Sequence, residues 1–323
     1  MTAGRRRYLL LVAQAAVSTV LLFLLFRNFD WPAFGRLFAT IPIWFYVLSF
    51  TVVLAGQVLY AWRWKLILSA LSVAVPFRAV VEQYLVGIFF NNFLPSTMGG
   101  DWAKVYYLGR SEGYVRVGAS VVVDRVIGVF VLASMALAMA AMLTGPPRAV
   151  AAARGTLTFA WALLAGIIAL AVSAHARKVW EWLTVRLAWL GRSADRLNRF
   201  LEHIRTAARH PSVQIGTGIV VCSYFAMLGL IYREFVVLMG GSTPAFLPVV
   251  AAVATITTLS NVPVAINGLG LREQLHFALL SALGLSKEAA AGISLLLFAH
   301  VLVISIAGAA VWARLPIAKG DRA

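Results

Sequence analysis

The chain has 323 residues, of which 61% are hydrophobic and only 12% are charged, and its formal net charge is +16. Soluble domains carry about 25% charged residues, so this composition excludes a water-soluble globular protein and predicts an all-α polytopic membrane protein. The positive charge does not indicate nucleic-acid binding, because the Lys and Arg residues lie in loops between apolar segments. Cys222 is the only cysteine, which excludes a disulfide within the chain.

Six apolar segments follow one another along the chain, each long enough to cross a hydrocarbon core of roughly 30 Å. They cover residues 8–26, 43–61, 117–143, 157–174, 215–239 and 289–313. The first follows three arginines and is longer than the apolar core of a signal peptide, so we expect a retained span. The sequence therefore predicts a single integral membrane domain over residues 1–323.

Two further segments, 77–110 and 246–283, combine apolar arms with residues that interrupt a helix. The first contains NNFLPSTMGGD and the second contains SNVPVAINGLGLRE. Pro95 and Pro263 lack a backbone donor, and the glycine pairs that follow them destabilise a helix interior. Each segment is predicted to be a re-entrant pair of broken helices. Their corresponding positions indicate an inverted repeat with a binding site near the bilayer midplane.

Most of the 28 Lys and Arg residues fall on one side of this topology. The positive-inside rule then predicts a protein of the cell (inner) membrane with both termini in the cytoplasm. Residues 178–209 carry an apolar stripe at helical spacing among many arginines, which predicts a cytoplasmic amphipathic helix facing anionic headgroups. A positively charged loop that only fixes orientation, or a helical hairpin on a partner, would fit the same segment. Trp62, Arg63 and Trp64 are expected to anchor the second span at the interface.

Two charged residues, Asp124 and Arg125, lie well inside the third apolar segment. A charge at such depth is costly unless it is paired or hydrated, so both are functional candidates. Consecutive helical residues point about 100° apart, and each therefore needs a partner elsewhere. We expect Asp124 to pair with Arg272, and Arg125 to pair with Asp101 or Glu273. The alternative is a structural ion-pair network that locks the two repeats together.

The candidate substrate-binding residues come from both interrupted segments and from the third span. They are Asn91, Asn92, Ser96, Gly99, Gly100, Asp101, Asp124, Arg125, Asn267, Gly268, Gly270, Arg272 and Glu273. A glycine pair at a helix start exposes N–H groups that suit a phosphate, while a neighbouring Asp would repel one. Such a mixture would suit a headgroup with both a phosphate and an amine. Asp101 is equally a candidate helix cap, and the Asn side chains could satisfy freed backbone groups.

Catalytic chemistry finds little support in the sequence. The five His residues are scattered without metal-ligand spacing, and no nucleophile motif is present. We therefore predict no catalytic residue, no metal and no cofactor.

Four stretches together resemble a known family: RWKLIL, YLVGIFFNNFLPSTMGGDWAKVYYLGR, SVVVDRVIGV and NVPVAINGLGLRE. They are similar to the flippase-like transmembrane domain of bacterial lysylphosphatidylglycerol synthases, over roughly residues 63–314. The resemblance implies a helical fold with re-entrant elements and the movement of an aminoacylated or other polar-headed lipid between leaflets. The chain ends at Ala323 without a soluble domain, so a stand-alone member without aminoacyl transfer is expected. Residues 265–267 depart from the family pattern, which leaves the lipid open.

The leading hypothesis is a lipid flippase or transporter that moves an aminoacylated, phospho- or glycolipid through a polar cavity between the two broken helix pairs. Its partners would be membrane lipids, with anionic headgroups at the cytoplasmic face and no nucleic acid. One alternative is a membrane enzyme of lipid-linked sugar or lipid modification. Another is an ion-coupled carrier of a small solute, which a dependence of uptake on an ion gradient would distinguish. The oligomeric state cannot be read from the sequence.

Overall fold

The computed structural model describes residues 16, 19–27, 29–93, 99–143, 146–173, 192–241, 243–261 and 268–315. Over these ranges the chain is helical and contains no strand. In chain order the α-helices are α1 (Trp31–Thr40), α2 (Ile43–Ala70), α3 (Phe77–Phe93), α4 (Gly99–Glu112), α5 (Tyr114–Ala138), α6 (Pro147–Val172), α7 (Arg192–Arg209), α8 (Pro211–Leu238), α9 (Phe246–Ser260), α10 (Leu271–Leu280) and α11 (Lys287–Arg314). Short 3₁₀ turns at Ala140–Met142 and Ser281–Leu283 follow α5 and α10.

Five of these helices, α2, α5, α6, α8 and α11, are long and apolar enough to cross a membrane. They correspond to the second through sixth predicted spans, and the prediction of an all-helical polytopic membrane protein is confirmed. The first predicted span, residues 8–26, lies largely outside the described residues. The second span was predicted to end at residue 61, but α2 continues to Ala70. Nothing between Trp62 and Ala70 breaks a helix, and this extension carries Arg63 and Trp64 into the packed interior.

The two interrupted segments each contain two helices. In the first, α3 ends at Phe93 and α4 begins at Gly99; in the second, α9 ends at Ser260 and α10 begins at Leu271. Tyr84 and Gly87 of α3 face Lys104 and Gly100 of α4, so this pair packs in antiparallel order. Pro95, Ser96, Pro263 and Asn267 lie outside the described residues. The re-entrant path and the inverted repeat stay predictions.

Close backbone contacts hold α3 between α4 and α11. A Cβ atom on Gly100 would lie 2.0 Å from the carbonyl oxygen of Gly87, and one on Gly308 would lie 2.2 Å from that of Leu85. Any larger residue at either position would force the helices apart, because real Cβ atoms do not approach that closely. Asn92 adds a hydrogen bond from its Nδ2 to Ser305 Oγ of α11, at 2.7 Å.

Two apolar clusters stabilise the helix packing, and α5 contributes to both. The larger is centred on α8 and α9 and includes Phe225, Phe235 and Ile256. The smaller surrounds Trp64 of α2 and includes Val117 of α5. Asp124 and Arg125 stand between Val123 and Ile127, two members of the smaller cluster, so the packing that fixes α5 also fixes these charged residues.

The arginine-rich segment is helical where the structure describes it. Helix α7 covers Arg192–Arg209, while residues 178–191 of the predicted amphipathic helix lie outside the described residues. Its apolar side packs on the protein: Ala207 is buried, and Phe200 lies 3.6 Å from the position of a Cβ on Gly118 of α5. The described part is therefore a helix that packs on α5, rather than a loop.

Candidate functional site

A cavity of about 720 Å³ lies between the first helix pair, α3 and α4, and the end of α9, the first helix of the second pair. Its walls come from α2 to α6 together with α8 and α9. The polar lining residues are Tyr60, Arg63, Tyr84, Asn91, Asp101, Lys104, Asp124, Arg125, Thr156, Thr257, Thr258 and Asn261. Both interrupted segments contribute, since α3 and α4 supply charged and amide groups while the end of α9 supplies hydroxyl and amide groups. The cavity thus joins the elements in which the sequence predicted a site.

The deepest charged pair on the wall joins α2 to α5. Arg63 Nε donates to Asp124 Oδ1 at 2.7 Å, and both side chains are about nine-tenths buried. Gly128 stands one turn after Asp124 and makes room for this contact, since a Cβ there would lie 2.6 Å from Arg63 Nη1. The predicted partner of Asp124 was Arg272, which is wrong. The prediction that Arg63 anchors at the interface is also wrong, because α2 continues past it into the helix packing.

A second ion pair joins α5 to α4. Arg125 Nη2 lies 2.7 Å from Asp101 Oδ2, which is one of the two partners predicted for Arg125. Asp101 sits in the first turn of α4 and does not cap it, because the helix already begins at Gly99. Asn91 of α3 takes part in the capping, with its Oδ1 accepting the Gly100 N–H at 2.8 Å. Asn91 therefore satisfies a freed backbone group while lining the cavity.

Lys104 is a third cation on the cavity wall. It is only 6% exposed, and its Nζ lies 4.0 Å from the centre of the Tyr84 ring and 5.1 Å from that of Trp64. The nearest carboxylate oxygen, Asp101 Oδ1, is 3.9 Å away, beyond hydrogen-bonding distance. Among the described residues no acceptor lies within reach of this ammonium group, which has three donors. The side chain therefore lies against aromatic rings beside the cavity, with Asp101 as its nearest carboxylate.

The opposite wall of the cavity is apolar. Phe159, Leu163 and Leu164 of α6 face it. Phe159 and Leu163 are also largely exposed on the outer surface of the helix bundle. The cavity therefore has a charged wall and an apolar wall. The apolar wall belongs to α6, a helix that is long and apolar enough to cross a membrane.

Arg272 and Glu273 lie in a separate cluster at the start of α10, outside the cavity wall. Glu273 is fully buried: its Oε1 accepts from Arg272 Nη2 at 2.7 Å and from Ser294 Oγ at 2.8 Å, and its Oε2 accepts from Gly270 N at 2.7 Å. Gly270 has φ +83°, a left-handed conformation that favours glycine and that turns the chain into α10. Next to this cluster, Tyr232 Oη and the His276 ring are 2.7 Å apart.

The predicted site residues therefore divide into groups. Asn91, Asp101, Asp124 and Arg125 line the cavity, with Gly99 and Gly100 buried at the adjoining helix start. Asn92 bonds to α11, and Gly268, Gly270, Arg272 and Glu273 belong to the start of α10.

Arg63 and Lys104 were not among the residues predicted for the site. One signal could have found Lys104, since it stands three residues after Asp101 on one face of α4. Gly128, one turn after Asp124, could have indicated the space that Arg63 fills. Within the described residues no group of three or more His, Cys, Asp and Glu side chains is placed to hold a metal ion.

Comparison with known proteins agrees with this architecture. Residues 11–308 match the family described as the lysylphosphatidylglycerol synthase TM region. The chain is also similar to the UPF0104 membrane protein PH1989 of Pyrococcus horikoshii, with 29% identity over 147 residues, or 43% of this chain and 42% of the relative. A second relative, the UPF0104 membrane protein MJ1595 of Methanocaldococcus jannaschii, is 33% identical over 84 residues, a quarter of each chain. These matches span less than half the length of either relative. No solved structure matches.

The family match covers nearly the whole chain and includes both interrupted segments and the charged span, so the chain belongs to the family of the lysylphosphatidylglycerol synthase transmembrane region.

Proposed function

We propose that this protein moves a polar-headed lipid between the leaflets of the membrane, with the headgroup passing through the 720 Å³ cavity. One observation carries the proposal: the cavity has a wall of buried charges and an opposite apolar wall that reaches the outer surface of the bundle. A headgroup at the charged wall would be shielded from the hydrocarbon. An acyl chain would leave along Phe159 and Leu163 into the bilayer. The transmembrane region shared with lysylphosphatidylglycerol synthases supports a lipid as the substrate.

The two walls favour a lipid over a small polar solute. A solute with polar groups over its whole surface needs hydrogen-bonding partners on every side, because the desolvation of each polar group must be offset by a hydrogen bond. Here the α6 side offers only apolar contacts apart from Thr156. An amphiphile matches this division, since its apolar part gains from contact with α6 while its polar part contacts α4 and α5.

Within the site we assign direct headgroup contact to Lys104 and to the Arg125–Asp101 pair. Lys104 lines the cavity with its nearest carboxylate oxygen 3.9 Å away, and the Arg125–Asp101 pair is more accessible than the Arg63–Asp124 pair. The buried Arg63–Asp124 pair holds α2 against α5 and keeps the wall charged. Arg272 and Glu273 hold the start of α10 in place, and we do not assign them a headgroup contact.

We place the chain in the cell membrane with both termini in the cytoplasm. The support is the charge asymmetry of the loops and the arginine-rich helix α7, which would then lie on the side where anionic lipids attract basic residues.

Mass spectrometry of the lipids retained by the purified protein tests the proposal. We compare the wild type in mild detergent with Arg125→Gln, and use Arg78→Gln as the matched control. Arg78 also forms an ion pair on the first helix pair, with Glu82 at 3.0 Å, but its side chain is 91% exposed and lies outside the cavity. We expect one polar-headed lipid to be enriched in the wild type and in the control, and reduced about tenfold in Arg125→Gln, because a hydrogen bond to a charged group contributes roughly 1.5 to 3 kcal/mol.

The enriched lipid is then incorporated, with a fluorescent label on an acyl chain, into vesicles containing the protein. Its movement between leaflets should be fast with the wild type and with Arg78→Gln, and slow with Arg125→Gln. Bulk lipids in equal amounts in all three samples would contradict the assignment of the cavity. A gradient-dependent uptake of a soluble solute by the same vesicles would favour the carrier alternative.

A further inference from the structure

A second cavity, of about 450 Å³, lies where the turn between α4 and α5 meets α7. Its side-chain lining includes Arg116 at the start of α5, Arg196, Arg199 and His203 of α7, and Glu112 at the end of α4. Gly113, Tyr114 and Val115 complete the wall. It is separate from the large cavity, since the two share no lining residue.

Three arginines converge here from helices that are far apart in the sequence, and only one carboxylate lines the cavity with them. Among the described residues the structure gives the guanidinium groups of Arg116, Arg196 and Arg199 no ion pair and no hydrogen bond. Isolated surface arginines are common, but three cations sharing one concave site repel one another, and their repulsion is greatest where water is displaced. An anion in the cavity would relieve this repulsion.

The donors at the site suit the oxygen atoms of a phosphate. Guanidinium groups donate two parallel hydrogen bonds to phosphate oxygens and are the usual groups for this purpose in proteins. The start of α5 adds positive potential, because Gly113 at its N-cap has no side chain to accept from the free N–H groups of the first turn. The arginines also affect His203, which lines the same cavity. Burial lowers the pKa of His203, and the positive charges of Arg116 and Arg199 lower it further, while Glu202 raises it.

The position of the cavity indicates where its ligand would come from. Helix α5 is long and apolar enough to cross a membrane, and the cavity lies at its first residues, so a bilayer that α5 crosses would bring lipid headgroups to this end of the helix. We propose that this cavity is a binding site for a phosphate-bearing anion, distinct from the transport cavity, that takes the phosphomonoester headgroup of a membrane lipid or a free phosphate. Binding there ties α7 to the start of α5, the helix that carries Asp124 and Arg125 into the large cavity.

Thermal unfolding of the full-length protein in detergent tests this site with three probes: dioctanoyl phosphatidic acid, dioctanoyl phosphatidylcholine and inorganic phosphate. The test variant is Arg196→Gln/Arg199→Gln. The matched control, Arg36→Gln/Arg148→Gln, removes the same number of exposed arginines outside the cavity. We expect phosphatidic acid to raise the Tm of the wild type and of the control. Its apparent Kd should be about tenfold weaker in the test variant.

The probes distinguish the two sources. A shift with phosphatidic acid but not with inorganic phosphate assigns the site to a lipid headgroup, while a shift with both assigns it to phosphate from either source. An absence of any shift, an equal shift with phosphatidylcholine, or an undiminished shift in the test variant would each overturn the proposal. Arg196→Lys/Arg199→Lys serves as a second variant, because it keeps the charge and should restore part of the affinity if the first variant has lost ligand binding and not its fold. The lipid-retention measurement on the large cavity is independent of these outcomes.

Discussion

Two buried polar clusters in the described part of the chain differ in how completely their charges are satisfied. At the start of α10, Glu273 accepts from Arg272, Ser294 and the Gly270 N–H, so both carboxylate oxygens have close partners. On the wall of the large cavity, the described surroundings of the Lys104 ammonium group are two aromatic rings and a carboxylate oxygen at 3.9 Å.

This difference underlies the structural role that we propose for the first cluster and the binding role that we propose for the second. A closed cluster gains nothing from a ligand, because its donors and acceptors are already paired, and it resists any change that removes one member. An open cluster beside a cavity keeps donors available at a cost in stability, and a ligand that supplies the missing acceptor recovers that cost. Both clusters look alike in the sequence, where each is a short run of Gly followed by charged residues.

The largest expected effect is on the closed cluster. Replacing Glu273 with Ala leaves Arg272 without its counter-charge and removes the acceptor for the Gly270 N–H. We expect a loss of stability of about 3 to 5 kcal/mol, which is typical for breaking a buried ion pair. Thermal unfolding in detergent, followed by tryptophan fluorescence, measures it. The control is Glu234→Ala, an exposed carboxylate on α8, and an equal Tm for the two variants would contradict the structural role.

An effect of intermediate size is expected at the open cluster around Lys104, where a substitution should reduce lipid retention without reducing stability. Lys104→Met keeps a linear side chain between the aromatic rings while it removes the buried ammonium. Stability should be unchanged or increased by up to about 1 kcal/mol, since burying an incompletely paired charge is unfavourable. The amount of retained lipid should fall about tenfold. Lys65→Met, on α2 and outside the cavity, is the control. A large fall in Tm together with normal lipid retention would mean that Lys104 is structural after all.

The smallest expected effect concerns Ser294, a hydrogen-bonding partner of Glu273 in the closed cluster. Ser294→Ala removes the hydrogen bond that Ser294 donates to Glu273 and the one that it accepts from Arg272 Nε, while the Arg272–Glu273 ion pair stays in place. The Tm should decrease by an amount that corresponds to about 1 kcal/mol, because a neutral hydroxyl is lost and the two charges stay paired. Ser69→Ala, an exposed position on α2, controls for the loss of a hydroxyl from a helix. Lipid retention should be the same in both; a reduction in Ser294→Ala only would connect the two clusters.

Much of the fold was predictable because membrane helices depend on local composition. Runs of apolar residues longer than the hydrocarbon core mark α2, α5, α6, α8 and α11, whatever their neighbours are. The interruption of both segments was predictable for the same reason, since the effects of Pro and Gly on a helix act within a single turn. The end of α2 was missed because interfacial Trp and Arg residues are typical of helices that leave the membrane, and only packing showed that this helix continues.

The site was only partly predictable because its contacts are long-range. Arg125 and Asp101 are close enough in the sequence for the pair to be among the expected choices. The partner of Asp124 is Arg63, 61 residues away, and the contact also requires Gly128 to leave space beside α2. Nothing in the composition near either residue indicates that contact.

The sequence by itself determined that this chain is a helical membrane protein with two interrupted segments and charged residues inside a span. The free-energy cost of burying backbone and charge in hydrocarbon leaves few other solutions for such a sequence. The tertiary structure decided which charges meet. It placed Arg63 and Lys104 at the cavity and enclosed Arg272 and Glu273 elsewhere, because the pairing of buried charges depends on which helices pack together, and this in turn depends on close contacts such as the one between Gly87 and Gly100.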